Sequence, residues 1–192
     1  MNRILAFFSL ASLSIMIGNP KQKVAASFSF ISKIDTLPDI CTILPAAEIA
    51  GLSPFTIALS NSYAEDPLEG YRGCLYEFFK SPDFGTIKIS LLKNKSKADA
   101  LVFYNRNVTD HIEMWQRRPE TIIGLADSAY FNYNADDTKC DDCHLLLMSG
   151  VYNVVVSFHG QYDDVSREKK KNAAISIIKL LHDRIPGLFA KK

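Results

Sequence analysis

The chain has 192 residues, and its 22 lysines and arginines balance 21 aspartates and glutamates to leave a formal net charge of +1. A charge this balanced gives no electrostatic footprint for nucleic acid or for an anionic membrane surface. Hydrophobic residues make up 47% of the chain, so the composition indicates a globular protein with a substantial core.

The first 26 residues have the pattern of a secretory signal peptide. A basic start at Arg3 precedes an apolar run over residues 4–18, and small residues follow at 24–26. This pattern predicts cleavage after Ala26 and a secreted or periplasmic protein. The run is short and rich in serine, so we expect no stable membrane insertion, although a retained N-terminal anchor is the alternative.

After an N-terminal segment at residues 27–40, the rest of the chain is predicted to form one domain over residues 41–187. A short helix is expected first, at residues 42–51. Pro45 suits its first turn, and Gly51 suits a left-handed end.

The next part of the domain is predicted to be rich in β-strands. We expect a strand at residues 55–59 and a long polar loop at 60–73. Residues 74–79 and 86–92 alternate between apolar and polar types on either side of a turn. This alternation predicts a β-hairpin.

A helix is predicted to begin after Ser96, because Ser96 and Asp99 have the spacing of a helix N-cap. Pro119 is expected to end the helix region. Apolar residues recur at intervals of three and four and predict one buried face. These residues are Leu101, Tyr104, Val108, Ile112 and Trp115.

The second half repeats the same plan. A strand is predicted at residues 129–133, followed by a hairpin of residues 144–148 and 151–158. The second hairpin strand is apolar at most positions, so we expect it to be central and covered on both faces. A final helix is predicted at residues 166–185. Its inward residues are Ala174, Ile178, Leu181 and Ile185.

These elements predict an α+β fold in the order α-β(2-3)-α-β(3)-α, with an internal ββα repeat. Strands linked by hairpins form a largely antiparallel sheet, and the long helices need an apolar sheet face to cover. The expected architecture is therefore a sheet sandwiched between helices.

Three spaced motifs carry a resemblance to a known family: CTILPAAE at residues 41–48, GCLY at 73–76 and GLADSAYF at 124–131. In their order and spacing they resemble the LpqN-like cell-envelope lipoproteins, which are small exported domains mostly of unknown function. The resemblance covers residues 41 to about 185 and implies a Mog1/PsbP-like fold. The chain departs from the family because it has no lipoprotein cysteine after its apolar run, and because Ala126 replaces a usual glycine.

The resemblance also implies a disulfide between Cys41 and Cys74, which would leave Cys140 and Cys143 in a Cys-x-x-Cys-His motif. This motif is compatible with covalent haem, a redox dithiol, a zinc site or a local disulfide. A zinc site would use Cys140, Cys143 and His144 with an aspartate such as Asp137. Nearby aspartates disfavour haem and a stabilised thiolate, so we favour the disulfide Cys140–Cys143.

The sequence contains no assembled catalytic set, and its four histidines share no recognisable metal-binding spacing. We therefore predict an exported, non-catalytic binding or accessory domain without a cofactor. Its expected partner is an unknown small ligand or an envelope protein, and not nucleic acid. The alternative is a metal or redox protein that uses Cys140, Cys143 and His144, with zinc preferred over haem.

Overall fold

The computed structural model describes residues 37–55, 58–65, 70–114, 116–134, 142–160, 165–185 and 187–188. All of them belong to the unit Asp35–Lys192. The predicted signal peptide and nearly all of the segment at residues 27–40 lie outside the described residues, so both stay predictions.

The described residues form four helices and seven strands. In chain order these are α1 (Ile40–Ile43), α2 (Ala46–Leu52), β1 (Leu59–Glu65), β2 (Tyr71–Lys80), β3 (Asp83–Lys93), α3 (Lys97–Glu113), β4 (Arg117–Thr121), β5 (Ser128–Asn134), β6 (Asp142–Ser149), β7 (Tyr152–His159) and α4 (Arg167–Arg184). In this part of the chain, no helix is both long enough and apolar enough to cross a membrane.

The strands form one antiparallel sheet in the order β1-β2-β3-β7-β6-β5-β4, which confirms the α+β class. The predicted central strand is β7, and α3 and α4 both pack against it. Both predicted hairpin–helix units are present, as β2-β3-α3 and β6-β7-α4. Between α3 and α4 the described residues form four strands, β4 to β7, whereas the sequence predicted three.

The first face of the sheet holds the main hydrophobic core and lies under α1, α2 and α4. Alternate residues of the central strands face this core, as the two-residue period of a strand requires. On α4, Ala174, Ile178 and Leu181 are buried as predicted, and Ile185 packs at the core margin. The core strand residues include Cys74, Tyr76, Phe78, Ile87, Ile89, Leu91, Phe131, Leu145, Leu147, Val154, Val156 and Phe158.

The second face of the sheet lies under α3 and is more polar. The N-cap prediction is confirmed, because the Ser96 side chain accepts a hydrogen bond from the Asp99 backbone N–H. The predicted buried face of α3 is wrong in part: Leu101 and Ile112 are 43% and 46% exposed. Ala100 is fully buried instead, and His111 turns towards polar side chains of the sheet. Trp115 lies outside the described residues.

Both edge strands were missed by the sequence prediction. Strand β1 lies almost entirely within the predicted loop at residues 60–73, and β4 contains Pro119, which was expected only to end a helix region. An edge strand has one unpaired side, so it tolerates polar residues and a proline that lacks an N–H. Neither segment therefore shows the apolar alternation typical of an inner strand.

The predicted helix at residues 42–51 is divided into α1 and α2. Pro45 is the N-cap of α2 and does not lie inside a helix. Gly51 belongs to α2 and does not form its left-handed end. Proline has a fixed φ and no N–H to donate, which explains why a new helix begins directly after it.

A disulfide between Cys41 and Cys74 connects α1 to β2, and this is the pair that the family resemblance implies. The two Cα atoms are 5.3 Å apart. The contact is reinforced by the buried Tyr76 hydroxyl, which donates a hydrogen bond to the Leu44 carbonyl oxygen at 2.6 Å. These links fix the first helical segment against the core face of the sheet.

Candidate functional site

The residues of the predicted zinc site are not brought together in the described structure. Asp137 and Cys140 lie outside the described residues. Cys143 is fully buried in the core, whereas His144 contacts polar groups on the second face. Consecutive residues of a strand point to opposite faces of the sheet, so Cys143 and His144 cannot bind the same ion from β6.

A different cluster forms around His144 on the second face. Asp142 and His144 are two residues apart on β6 and therefore share a face. The β6–β7 hairpin pairs Asp142 with His159 in register. As a result, one carboxylate oxygen and two imidazole nitrogens from these three residues lie within 4.8 Å of one another.

The Asp142 carboxylate is the centre of this cluster. Its Oδ1 atom is 3.1 Å from His144 Nε2 and 2.7 Å from His159 Nδ1. Both distances lie within the range of an ion pair, and no hydrogen bond to Oδ1 is formed among the described residues. The Asp142 side chain is 42% exposed as a whole, yet Oδ1 itself is buried. A buried carboxylate oxygen without such a partner is a position that an ordered water or a cation would satisfy.

Two of the three clustered side chains are oriented by further polar contacts. The Ser157 hydroxyl is 2.7 Å from His144 Nδ1, which leaves Nε2 directed towards Asp142. The Arg117 guanidinium donates to Asp142 Oδ2 and also to Asn132 Oδ1 at 3.1 Å. Metal-binding histidines and carboxylates in proteins usually have outer contacts of this kind.

A third histidine closes the cluster on the side of α3. The His111 ring stacks on the His144 ring with 5.3 Å between centroids and an interplanar angle of 15°. His111 Nδ1 lies 2.8 Å from the Tyr130 hydroxyl and 2.7 Å from Asn132 Nδ2. These contacts engage Nδ1 in the sheet and place His111 beside the cluster, outside the set of three closest ligand atoms.

The environment favours the neutral imidazoles of His111 and His144 and the ionised carboxylate of Asp142. Burial, together with the charges of His144 and Arg117, lowers the pKa of His111 to about 4. Burial also lowers the pKa of His144, although the contact with Asp142 opposes this effect. Burial raises the pKa of Asp142, but the contacts with His144 and His159 outweigh it and hold that pKa well below its usual range. Neutral imidazole and ionised carboxylate are the forms that bind metals.

The low pKa of His111 predicts that the metal-free protein has a lower free energy of unfolding at acid pH than at neutral pH. Its folded pKa lies below its unfolded value of 6.5, so the unfolded chain binds more protons between pH 6.5 and about 4. Stability is therefore fully present above pH 6.5 and falls as the pH drops through this window. Allowing for partial solvent exposure, we expect His111 to account for about 1–2 kcal/mol.

The measurement is urea unfolding of the metal-free chain at several pH values between 7 and 4. The variant His111→Gln is expected to have a flatter pH profile than the wild type. His182→Gln, which removes a histidine exposed on α4, serves as the control and is expected to leave the profile unchanged. An equally steep profile in His111→Gln would contradict the assignment.

The donor set of Asp142, His144 and His159 fits a divalent transition metal. Zinc binds imidazole nitrogen at about 2.0–2.1 Å and carboxylate oxygen at about 2.0–2.2 Å, commonly with tetrahedral geometry. Those bond lengths correspond to about 3.3–3.4 Å between neighbouring ligand atoms. To reach this separation, the oxygen–nitrogen distances of 3.1 and 2.7 Å would need to open by about 0.2 to 0.7 Å. Three protein ligands would leave a coordination position open.

The sequence analysis missed this cluster because it compared histidines by their spacing along the chain. The histidines His144 and His159 are distant in sequence but lie on paired strands, with Asp142 between them. His182 lies on α4 and does not belong to the cluster. The disulfide proposed between Cys140 and Cys143 stays a prediction, because Cys140 is outside the described residues.

No protein-family model, curated protein or solved structure matches this chain. The resemblance to LpqN-like lipoproteins therefore stays a prediction.

Proposed function

We propose that the chain is an exported binding domain that holds a divalent transition-metal ion through Asp142, His144 and His159. One observation carries this proposal: the buried Asp142 Oδ1 lies between two histidine nitrogens and has no hydrogen-bond partner among the described residues. A cation at this position would satisfy the oxygen and both nitrogens at once. The outer contacts from Ser157 and Arg117 support the same role, because they hold the ligands in place.

The proposal includes export and membership of the LpqN-like family with a Mog1/PsbP-like fold. Export is supported by the signal-like pattern of the first 26 residues and by the Cys41–Cys74 disulfide, since disulfides persist mainly in oxidising compartments. The family assignment is supported by the three spaced motifs and by an antiparallel sheet between helices.

Nitrogen and oxygen ligands also suit an oxidising compartment. A thiolate site loses its ligands when the cysteines form a disulfide, whereas imidazole and carboxylate do not oxidise under the same conditions. Among metals that accept this donor set, zinc is the one to test first because it needs no redox partner. We infer a binding role and not a catalytic one, because the Ser157 hydroxyl, which contacts His144 Nδ1, belongs to a residue that is only 7% exposed.

The second candidate is a metal or redox site that uses Cys140, Cys143 and His144. His144 favours the first candidate, because its Nδ1 contacts Ser157 and its Nε2 faces Asp142. Cys143 lies on the opposite face in the core. The variant Cys143→Ala distinguishes the candidates: zinc binding persists in our proposal and is lost in the alternative.

The decisive experiment is a zinc titration of the full chain by calorimetry after treatment with a chelator. We expect one zinc ion per wild-type chain, and in His159→Gln an affinity lower by about 100-fold, since even changes to outer contacts cost about 10–100-fold. His159 is 44% exposed, so this variant is expected to remain folded. Substitution by Co²⁺ provides a second readout, because its visible spectrum reports the number of ligands.

The control is His182→Gln, which removes another exposed histidine and should bind zinc like the wild type. Wild-type affinity in His159→Gln would overturn the proposal. Equal losses in both variants would also overturn it, because they would show non-specific binding to surface histidines.

A further inference from the structure

An aromatic groove lies on the same face of the sheet as the metal-binding cluster. Phe79 and Phe84 are paired across the β2–β3 hairpin and are 61% and 44% exposed. They border a cavity of about 500 Å³. Its lining residues are Ser60, Asn61, Glu77, Phe78, Phe79, Phe84, Gly85 and Thr86. Exposed aromatic rings beside polar groups are typical of small-ligand sites.

The strand register connects this groove to the cluster. Thr86 lines the groove and pairs with His159, which in turn pairs with Asp142. Residues paired across neighbouring strands share a face and are about 5 Å apart. The groove therefore begins one strand away from the proposed metal ligand His159.

Gly160 allows the two features to lie this close. It has a φ of +140°, and a Cβ at this position would lie 2.5 Å from the Phe84 carbonyl oxygen. Any larger residue would clash with the backbone that carries Phe84. Gly160 follows His159 directly, so the tight contact holds the groove wall beside the cluster.

The exposed ligand of the metal-binding cluster lies on the side nearest the groove. The side of the cluster nearest α3 and the β4 edge is occupied by His111, Asn132 and Arg117. His159 is the most exposed of the three ligands and lies on the β3 side. A ligand held in the groove would therefore meet the cluster on the His159 side.

We propose that the metal takes a small organic ligand, with a coordinating head group on the ion and an aromatic body in the groove. This inference rests on the proposed function, because it needs the metal to be bound. The head group is of the imidazole or carboxylate class, which binds zinc through nitrogen or oxygen. The body is flat and apolar, because the groove offers the faces or edges of Phe79 and Phe84.

The test compares 4-phenylimidazole with imidazole as probes of the zinc-loaded full chain. Both probes offer the same head group, and only one has an aromatic body. We expect 4-phenylimidazole to bind about tenfold more tightly to the wild type, which is the effect of one modest apolar contact. In Phe84→Ser this preference should fall to about twofold or less, with zinc affinity unchanged.

The matched control is Ile123→Ser, which removes an exposed apolar side chain elsewhere and should keep the full preference. A second groove variant, Phe79→Ser, should behave like Phe84→Ser and guards against a folding defect in one of them. Zinc binding without any preference for 4-phenylimidazole would overturn this inference alone. Failure of zinc to bind the wild type would overturn the proposed function and this inference with it. The inference would also be overturned if Phe84→Ser and Phe79→Ser both retained the full preference for 4-phenylimidazole over imidazole.

Discussion

Replacing Asp142 by asparagine is expected to lower zinc affinity by about 100-fold or more, the largest functional effect of any single change in the cluster. The substitution retains the size of the side chain but removes its negative charge. Asp142 is the central ligand, since its Oδ1 faces both histidine nitrogens. A neutral amide oxygen is a much weaker zinc ligand than a carboxylate.

The same substitution is expected to destabilise the metal-free protein. The Arg117 side chain is nearly buried, and Asp142 Oδ2 is its charged partner. Loss of that charge leaves the guanidinium with a neutral acceptor, the Asn132 side-chain oxygen at 3.1 Å. Because Asp142 is partly exposed, we expect a loss of about 1–3 kcal/mol, below the cost for a fully buried pair.

The matched control is Asp110→Asn, which changes an aspartate in an exposed pair with Arg106 on α3. We expect this control to change stability by about 0.5 kcal/mol or less and to leave zinc affinity unaltered. Calorimetric titration gives the affinity, and urea unfolding gives the stability. Zinc affinity within a few-fold of the wild type in Asp142→Asn would exclude the carboxylate as a ligand.

Local sequence signals were sufficient for the inner elements of the fold. The β2–β3 hairpin alternates between apolar and polar residues, the β6–β7 hairpin is apolar at most positions, and Ser96 and Ser166 cap the two long helices. The edge strand β1 has the sequence LSNSYAE, which has no apolar face. This strand is held in the sheet by its pairing with β2, and its own residues show no apolar alternation. The sequence of the segment alone therefore does not predict a strand.

The inward face of α3 could not be predicted from apolar periodicity. Periodicity selects Leu101 and Ile112, on the assumption that a helix buries its most apolar side. The sheet beneath α3 instead presents polar groups, including Asn132 and Asn153, and Asn153 donates a hydrogen bond to the Ala100 carbonyl oxygen at 3.2 Å. The polarity of that sheet face follows from the register of strands that are distant in sequence.

Part of the candidate site was nevertheless accessible from the sequence. The turn at Ser149 and Gly150 was predicted, and it pairs Ser149 with Tyr152. The same register, continued to the far end of the hairpin, pairs Asp142 with His159. The contributions of Arg117 and His111 were not accessible, because they depend on the unpredicted strand β4 and on the orientation of α3.

Removal of the Cys41–Cys74 disulfide is expected to have the largest effect on stability. The bond closes a loop with a sequence separation of 33, and the chain-entropy relation gives about 3–4 kcal/mol for a loop of this length. In urea unfolding, the double variant Cys41→Ala, Cys74→Ala should lose this amount and show a larger m-value, because its unfolded state is less compact. The control Tyr76→Phe removes only the hydrogen bond to Leu44 and should cost about 1 kcal/mol with an unchanged m-value. A loss below about 1 kcal/mol in the double variant would show that the unfolded chain stays compact without the crosslink, and that the contacts of α1 with the sheet hold the helix in place.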